Sequence, residues 1–278
     1  MARRQLAGMR VLVTGASQGI GRALAIAAAR RGCKVIATAR SADLLDELKA
    51  INGVIVTVVS DITNPDDRQR MVEAANDHFG GLDILINNAG IGATGHFMDS
   101  KPETLRQIFE TNYFALCEMI RVFLPVLRWG TKPAIVNISS VLGRRAWPAR
   151  GYYSASKFAV AGFSEAIRAE LAKDGIDVVV VNPGLTRTNF SKNLLENKAK
   201  LSMEHQRGMT SEQVAEATLN AVAAGRYEVT LSFKGKLLVL VARFAPWVVD
   251  YFAKKKVREL FADEIAERER TKATAAGS

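Results

Sequence analysis

Short runs rich in Val, Ile and Leu alternate along the chain with longer stretches in which apolar residues recur every three or four positions. The runs are Val11–Val13, Lys34–Thr38, Val54–Val59, Ile84–Asn87, Ala134–Ile138 and Asp177–Val181. They are nearly continuous in apolar residues, as strands covered on both faces should be. A helix-length stretch follows each. This βαβ series predicts an α/β fold with a doubly wound parallel sheet and right-handed crossovers. Pro65 and Pro102 fall where helices would begin, positions at which the missing N–H costs nothing. No repeat or linker interrupts residues 9–231, so one domain is expected over residues 1–231. The rhythm then changes, and residues 232–278 read as an apolar and basic helical C-terminal extension.

The first run leads into Thr14-Gly15-Ala16-Ser17-Gln18-Gly19-Ile20-Gly21, and a helical pattern follows from Arg22 to Arg31. Glycines between a strand and a helix let backbone approach a pyrophosphate, and the helix start offers it unpaired N–H groups. The spacing is G-x-x-x-G-x-G, and no G-K-[ST] marks a triphosphatase loop. Arg40 follows Gly21 by 19 residues, at the end of the second run. An acid in that zone would hold the ribose of NAD. A guanidinium there accommodates the 2′-phosphate of NADP instead. Asp43 reads as a first-turn helix residue.

Gly151-Tyr152-Tyr153-Ser154-Ala155-Ser156-Lys157 opens a helical stretch reaching about Lys173. Tyr153 and Lys157 are four apart and share a helix face, whereas Tyr152 lies about 140° from Lys157 around the helix. A phenol with an ordinary pKa of about 10 is a poor acid near neutrality, and a nearby cation lowers it. Tyr153 is therefore the candidate acid/base, passing a proton to a carbonyl oxygen or taking one from an alcohol. Upstream, Asn137-Ile138-Ser139-Ser140 ends a buried run. Ser139 and Ser140 point to opposite faces, so at most one can orient a substrate oxygen, and spacing does not choose between them.

With these residues the sequence resembles the classical short-chain dehydrogenase/reductase family, of the NADP-preferring type with an extended C-terminal tail. The resemblance spans roughly residues 8–231. It rests on Thr14–Gly21, Asn87-Asn88-Ala89-Gly90, Asn112, Ser140, Tyr153-x-x-x-Lys157 and Pro183-Gly184. It implies a Rossmann-like fold and a catalytic set of Asn112, Ser140, Tyr153 and Lys157. Ser140 precedes Tyr153 by 13 residues, the family interval, which favours it over Ser139. Tyr153 would be the acid/base and Ser140 would hold the substrate oxygen. Lys157 would bind the nicotinamide ribose and tune Tyr153, and Asn112 would position a water in a proton relay. Gly15, Ser17, Gln18, Gly19, Ile20 and Gly21 would hold the pyrophosphate side of NADP, and Arg40 its 2′-phosphate. Asp61, followed by Ile62, would contact adenine, and Asn88, Ala89 and Gly90 would line the adenosine side. Pro183, Gly184, Thr186 and Thr188 would hold the nicotinamide end. Family members form dimers or tetramers through helices near Phe109–Trp129 and Tyr153–Lys173, so a homodimer or homotetramer is expected.

The variable parts bear on the substrate. Ile91, His96, Phe97, Leu142, Trp147, Pro148 and Phe190 are the candidate lining, and their apolar character favours a steroid, retinoid, fatty aldehyde or keto-lipid. Arg144, Arg145 and Arg150 read as a solvated face, the alternative being attraction of an anionic group such as a carrier phosphopantetheine. The alternative activities are a 3-ketoacyl-thioester reductase and, in another class, a catalytically silent NADP sensor or a peripheral membrane protein.

Composition narrows the setting. The chain has 278 residues, 48% hydrophobic and 24% charged, which excludes a disordered, collagen-like or disulfide-scaffold protein. A chain this long needs neither a metal nor a disulfide staple, so no metal centre is expected. Cys33 and Cys117 are too few and too far apart for a disulfide framework. No signal-peptide pattern precedes the first strand, and a cytoplasmic setting is expected. The net charge is +10, and residues 226–278 carry 11 Lys/Arg against 7 Asp/Glu. No nucleic-acid motif accompanies this charge, so no nucleic-acid partner is expected. The apolar run Lys236–Ala253 leads into Lys254-Lys255-Lys256, but Arg243, Pro246 and Asp250 interrupt it, so it does not span a membrane. Pro246 should end or restart a helix. The run is expected to pack on its own core or a neighbour. A lid, a dimer surface or a membrane contact through residues 235–256 are the alternatives. A charged helix, Arg258 to Arg270, and a disordered small-residue end should follow.

Overall fold

The computed structural model describes residues 4–198 and 208–276. Seven parallel strands form one sheet: β1 (Arg10–Thr14), β2 (Lys34–Ala39), β3 (Ile55–Val59), β4 (Ile84–Asn87), β5 (Ala134–Ile138), β6 (Asp177–Asn182) and β9 (Glu228–Thr230). Their order across the sheet is β3-β2-β1-β4-β5-β6-β9. The direction of winding therefore reverses between β1 and β4. The two-residue strands β7 (Thr186–Arg187) and β8 (Met209–Thr210) pair beside the main sheet. The six apolar runs are the six longer strands, shifted at most by a residue at their ends. The sequence pattern missed β9, a short edge strand only partly covered.

Alternation across the sheet explains why those runs are apolar throughout. Val11 and Val13 of β1 pack on one face, with helices α1 (Gly19–Arg30), α2 (Ala42–Ile51) and α7 (Ser211–Ala223). Leu12 packs on the other, with α3 (Pro65–Phe79), α5 (Ala115–Leu127) and α6 (Gly151–Leu171). Val35, Ile36 and Ala37 of β2 alternate in the same way. A strand with helices on both sides is mostly apolar, and the polar side chains it buries, such as Asn87 and Asn137, bond to each other. Pro65 and Pro102 are the first residues of α3 and of α4 (Pro102–Phe109). Between α4 and α5 the helix widens into a π turn, Glu110–Phe114, which turns Asn112 inward to 1% exposure.

The C-terminal residues form α8 (Phe233–Phe244), α9 (Pro246–Leu260) and α10 (Ala262–Ala276). Pro246 both ends one helix and starts the next. Two expectations need correction. The charged helix does not run from Arg258 to Arg270, because the chain breaks at Phe261. The small-residue end continues α10 as far as Ala276, alanine being the best helix former. Gly277 and Ser278 lie outside the described residues. No helix among the described residues is long and apolar enough to cross a membrane.

Candidate active site

A cleft of about 720 Å³ opens outside the carboxyl ends of the strands, where β1 and β4 lead to opposite sides. Thr14 ties those two strand ends together. Its hydroxyl donates to Ile86 O at 3.4 Å and accepts from Asn88 N and Ala89 N, both at 3.0 Å. The Asn88 side chain returns two bonds, to Thr14 O at 2.9 Å and Gly15 O at 3.3 Å. The chain then turns at Gly15, where φ is +65°. A Cβ on Gly15 would stand 2.8 Å from Ala89 Cα, and one on Gly21 would stand 2.2 Å from Gly15 O. Only glycine lets α1 approach the strand this closely. Gln18, at the helix start, makes no side-chain cap, so the first N–H groups remain available to an anion. Gly15, Ser17, Gln18, Gly19 and Ile20 line the cleft, and Gly21 lies behind its wall.

At one end of the cleft Arg40 follows β2, its side chain 71% exposed and 3.8 Å from Asp61 Oδ2. Asp61 does not cap α3. Its Oδ1 accepts from Thr63 N at 2.9 Å and Thr63 Oγ1 at 2.8 Å, while Asn64 caps the helix. Asp61, Ile62, Asn88, Ala89 and Gly90 line this half, and Pro183, Gly184, Thr186 and Thr188 line the other. Thr186 Oγ1 donates to Gly184 O at 3.1 Å, and Thr188 Oγ accepts from Phe190 N at 3.2 Å.

Tyr153 and Lys157 project from α6 into the middle of the cleft. Ser140, just past β5, lies beside the Tyr153 hydroxyl and favours its ionised form, and its own hydroxyl accepts from Leu142 N at 3.1 Å. Ser139 instead donates to Lys157 O at 3.1 Å, turned into α6. The structure thus makes the choice that spacing left open. Lys157 Nζ donates to Ile138 O at 2.9 Å and stands 5.8 Å from the centre of the Tyr153 ring. The Asn112 side chain makes three hydrogen bonds. Its Oδ1 accepts from Ile91 N at 2.8 Å, and its Nδ2 donates to Ile91 O at 2.9 Å and Ser156 Oγ at 3.0 Å. Ser156 in turn donates to Tyr153 O at 2.8 Å. Asn112 lies behind the cleft wall and clamps the loop after β4 to the helix that carries Tyr153.

The electrostatics of the pair are set first by burial. Burial pushes the phenol above its ordinary 10.0, and the opposing influences are the Ser140 hydrogen bond and the charge of Arg150. Burial lowers Lys157 itself to about 8. Arg150 is 5% exposed, lines the cleft, and is held below the usual arginine value by burial. It precedes Tyr153 by three residues, a spacing that puts both on one side of a helix start.

The three arginines are therefore no solvated face. Arg144 pairs with Glu228 at 2.6 Å and Glu165 at 2.7 Å, and Arg145 pairs with Asp250. The substrate lining needs a further correction. Ile91, Leu142, Trp147 and Phe190 line the cleft, with the Phe190 ring 5.6 Å from that of Tyr153. His96, Phe97 and Pro148 do not. His96 packs edge-on against Phe261 at 3.7 Å, and Phe97 is 77% exposed. Leu185 and Leu238 take their places. Leu238 belongs to α8, and no local motif places a residue so far from the rest.

A helix-start phosphate cradle leading to a Tyr–Ser pair beside a buried lysine defines an oxidoreductase active site, in which the protein supplies orientation and a proton. The chain belongs to the short chain dehydrogenase family, whose model matches residues 9–199. The ketoacyl reductase HetN of Nostoc sp. is 32% identical over 88% of this chain and 88% of its own length. A short-chain dehydrogenase of Burkholderia cenocepacia, solved with NADP, superposes with a TM-score of 0.77 at 30% identity, covering 90% of this chain and 99% of that one. Another, from Burkholderia phymatum and solved with NAD, gives 0.79 at 25% identity, covering 88% and 96%.

Proposed function

We propose that the protein is an NADP(H)-dependent oxidoreductase that interconverts a lipophilic carbonyl compound and its alcohol. The observation that carries this reading is the placing of Tyr153, Ser140 and Lys157 together in the middle of a cleft whose two ends suit the two ends of a dinucleotide. The residues fit such a cofactor. Gly15 and Gly21 leave no room for a Cβ where backbone must approach a phosphate. The start of α1 lacks a side-chain cap, and Arg40 offers an exposed guanidinium where a 2′-phosphate would lie. When bound, the nicotinamide exchanges a hydride with the substrate carbon. In reduction, Ser140 and Tyr153 hold the carbonyl oxygen, and Tyr153 Oη donates a proton to it. The phenolate left behind is stabilised by the Ser140 hydrogen bond and the Arg150 charge, the two influences that already favour it. Lys157 holds the ribose hydroxyls. In oxidation the same proton moves back.

The apolar walls, Ile91, Leu142, Trp147, Leu185 and Leu238, favour a lipophilic substrate and exclude water from the reacting carbon. A 3-ketoacyl thioester is the second reading, favoured by the Nostoc relative. We infer a cytoplasmic setting, which Cys33 and Cys117, both free thiols, support. We also infer self-association through α5 and α6, supported by Phe114 and Phe158, which are 51% and 44% exposed. Tyr153→Phe tests the central claim. Turnover of a carbonyl panel, followed by NADPH absorbance, should vanish while NADPH binding stays within roughly fivefold of wild type, since one neutral hydrogen bond is worth about 1 kcal/mol. A variant that retains turnover removes Tyr153 from the chemistry. Wild-type protein that binds NADPH but turns over nothing in the panel supports the silent sensor.

A further inference from the structure

The helices α8 and α9 have two faces of different character. Their inner faces are fastened over the cleft. Leu238 enters its wall, Val249 is 5% exposed, Asp250 pairs with Arg145, and Phe261 stacks on His96 just beyond α9. Their outer faces are apolar and bare. At 3.6 residues per turn, Phe233, Leu237, Leu240 and Phe244 fall within a sector of about 60°. They are 81%, 49%, 55% and 70% exposed. Lys236 and Arg243 flank one edge of that stripe and Lys234 the other. Past Pro246 the pattern continues with Trp247, Tyr251 and Phe252, which are 67%, 66% and 57% exposed, and then with Lys254, Lys255 and Arg258. Between Phe233 and Arg258 the sole acid is Asp250, and Arg145 neutralises it.

We propose that this outer face docks on an anionic lipid surface and so sets the cap of the substrate cleft against the membrane. Water does not accommodate an apolar patch of this extent without cost. Aromatic side chains with cations at their rim match the boundary between acyl chains and headgroups, where lysine stems lie along apolar surface and reach out to phosphate. A second copy of the chain fits less well, because pairing two such faces would bring their cationic rims together. No helix among the described residues spans a bilayer, so the contact is peripheral.

The full chain should co-sediment with vesicles of phosphatidylcholine mixed with phosphatidylglycerol, and roughly tenfold less with phosphatidylcholine alone or at high salt. Lys254→Glu with Lys255→Glu should lower partitioning roughly tenfold. Leu240→Asp with Phe244→Asp should abolish it, with the thermal midpoint unchanged as a check on folding. Vesicle binding is read without turnover, so failure of the reaction assigned above leaves this result interpretable. Equal pelleting with both vesicle types, no pelleting of wild type, or full pelleting of the Leu240→Asp, Phe244→Asp variant overturns the proposal. So does a wild-type dimer, seen by sedimentation velocity, that this variant dissociates.

Discussion

Asn112 offers a sharp test of how the site is held. Asn112→Leu keeps the side-chain volume and removes three hydrogen bonds, two to the backbone of Ile91 and one to Ser156. Asn112 itself is 1% exposed, and the two bonds to Ile91 are part-buried. Ile91 N and Ile91 O are then left without a partner, each at a cost of about 1–3 kcal/mol. A destabilisation of about 2–5 kcal/mol follows, a large share of the 5–15 kcal/mol typical of a folded domain. The assay is urea unfolding, comparing midpoints at constant slope. The loop after β4 and the backbone of Tyr153 share this clamp, so kcat/KM should fall further than NADPH affinity. A loss of stability below about 1 kcal/mol would refute the reasoning, because orphaned buried groups cannot be that cheap. Asn112 would then act through a water rather than as a clamp.

Other outcomes follow from the same geometry. Lys157 is held at about 8, below its ordinary 10.5, so between those values the unfolded chain binds more protons and stability rises with pH. Lys157→Met should remove that rise, seen as the difference between the two proteins' urea midpoints at pH 8 and pH 10 on raising the pH by about two units. Gly21→Ala places a Cβ 2.2 Å from Gly15 O and 2.4 Å from Asn88 Nδ2, and should cost about 1–3 kcal/mol or more together with cofactor affinity. Gly162→Ala, in open space within α6, should be neutral or stabilising by about 0.5–1 kcal/mol in the same thermal assay. Arg40→Asp should weaken NADPH binding by roughly tenfold or more and leave NADH nearly unchanged, by fluorescence titration, since it removes a charge-assisted bond worth about 1.5–3 kcal/mol.

The sheet was legible because its strands are buried on both faces. β1, β2, β4, β5 and β6 carry unbroken apolar runs, whereas β9 at the edge carries Glu-Val-Thr and gives no such signal. The position of the phosphate loop was legible for a similar reason, since few residues other than glycine fit at 15 and 21. What the sequence could not show is how polar side chains are spent. Thr14 and Asn88 tie β1 to β4, and Asn88 does so while lining the cleft. The Asn112 side chain clamps the loop after β4 to α6, through partners 21 and 44 residues away. Arg150 looks like surface and is buried beside Tyr153. Such assignments depend on partners distant in sequence, as with Asp250 and Arg145, and no local periodicity encodes them.

Leu238 has a wider consequence. The stretch matched by the family model ends at residue 199, and α8 starts at Phe233, yet α8 supplies part of the wall around the reacting carbon. On the reaction proposed above, the residues that move the proton and part of the surface that selects the substrate are thus written in separate parts of the chain. Exchange of the last few dozen residues for those of a relative would change which compounds are admitted while leaving Tyr153, Ser140 and Lys157 in place. That reading makes the C-terminal helices a sleeve that could diverge while the machinery stayed fixed.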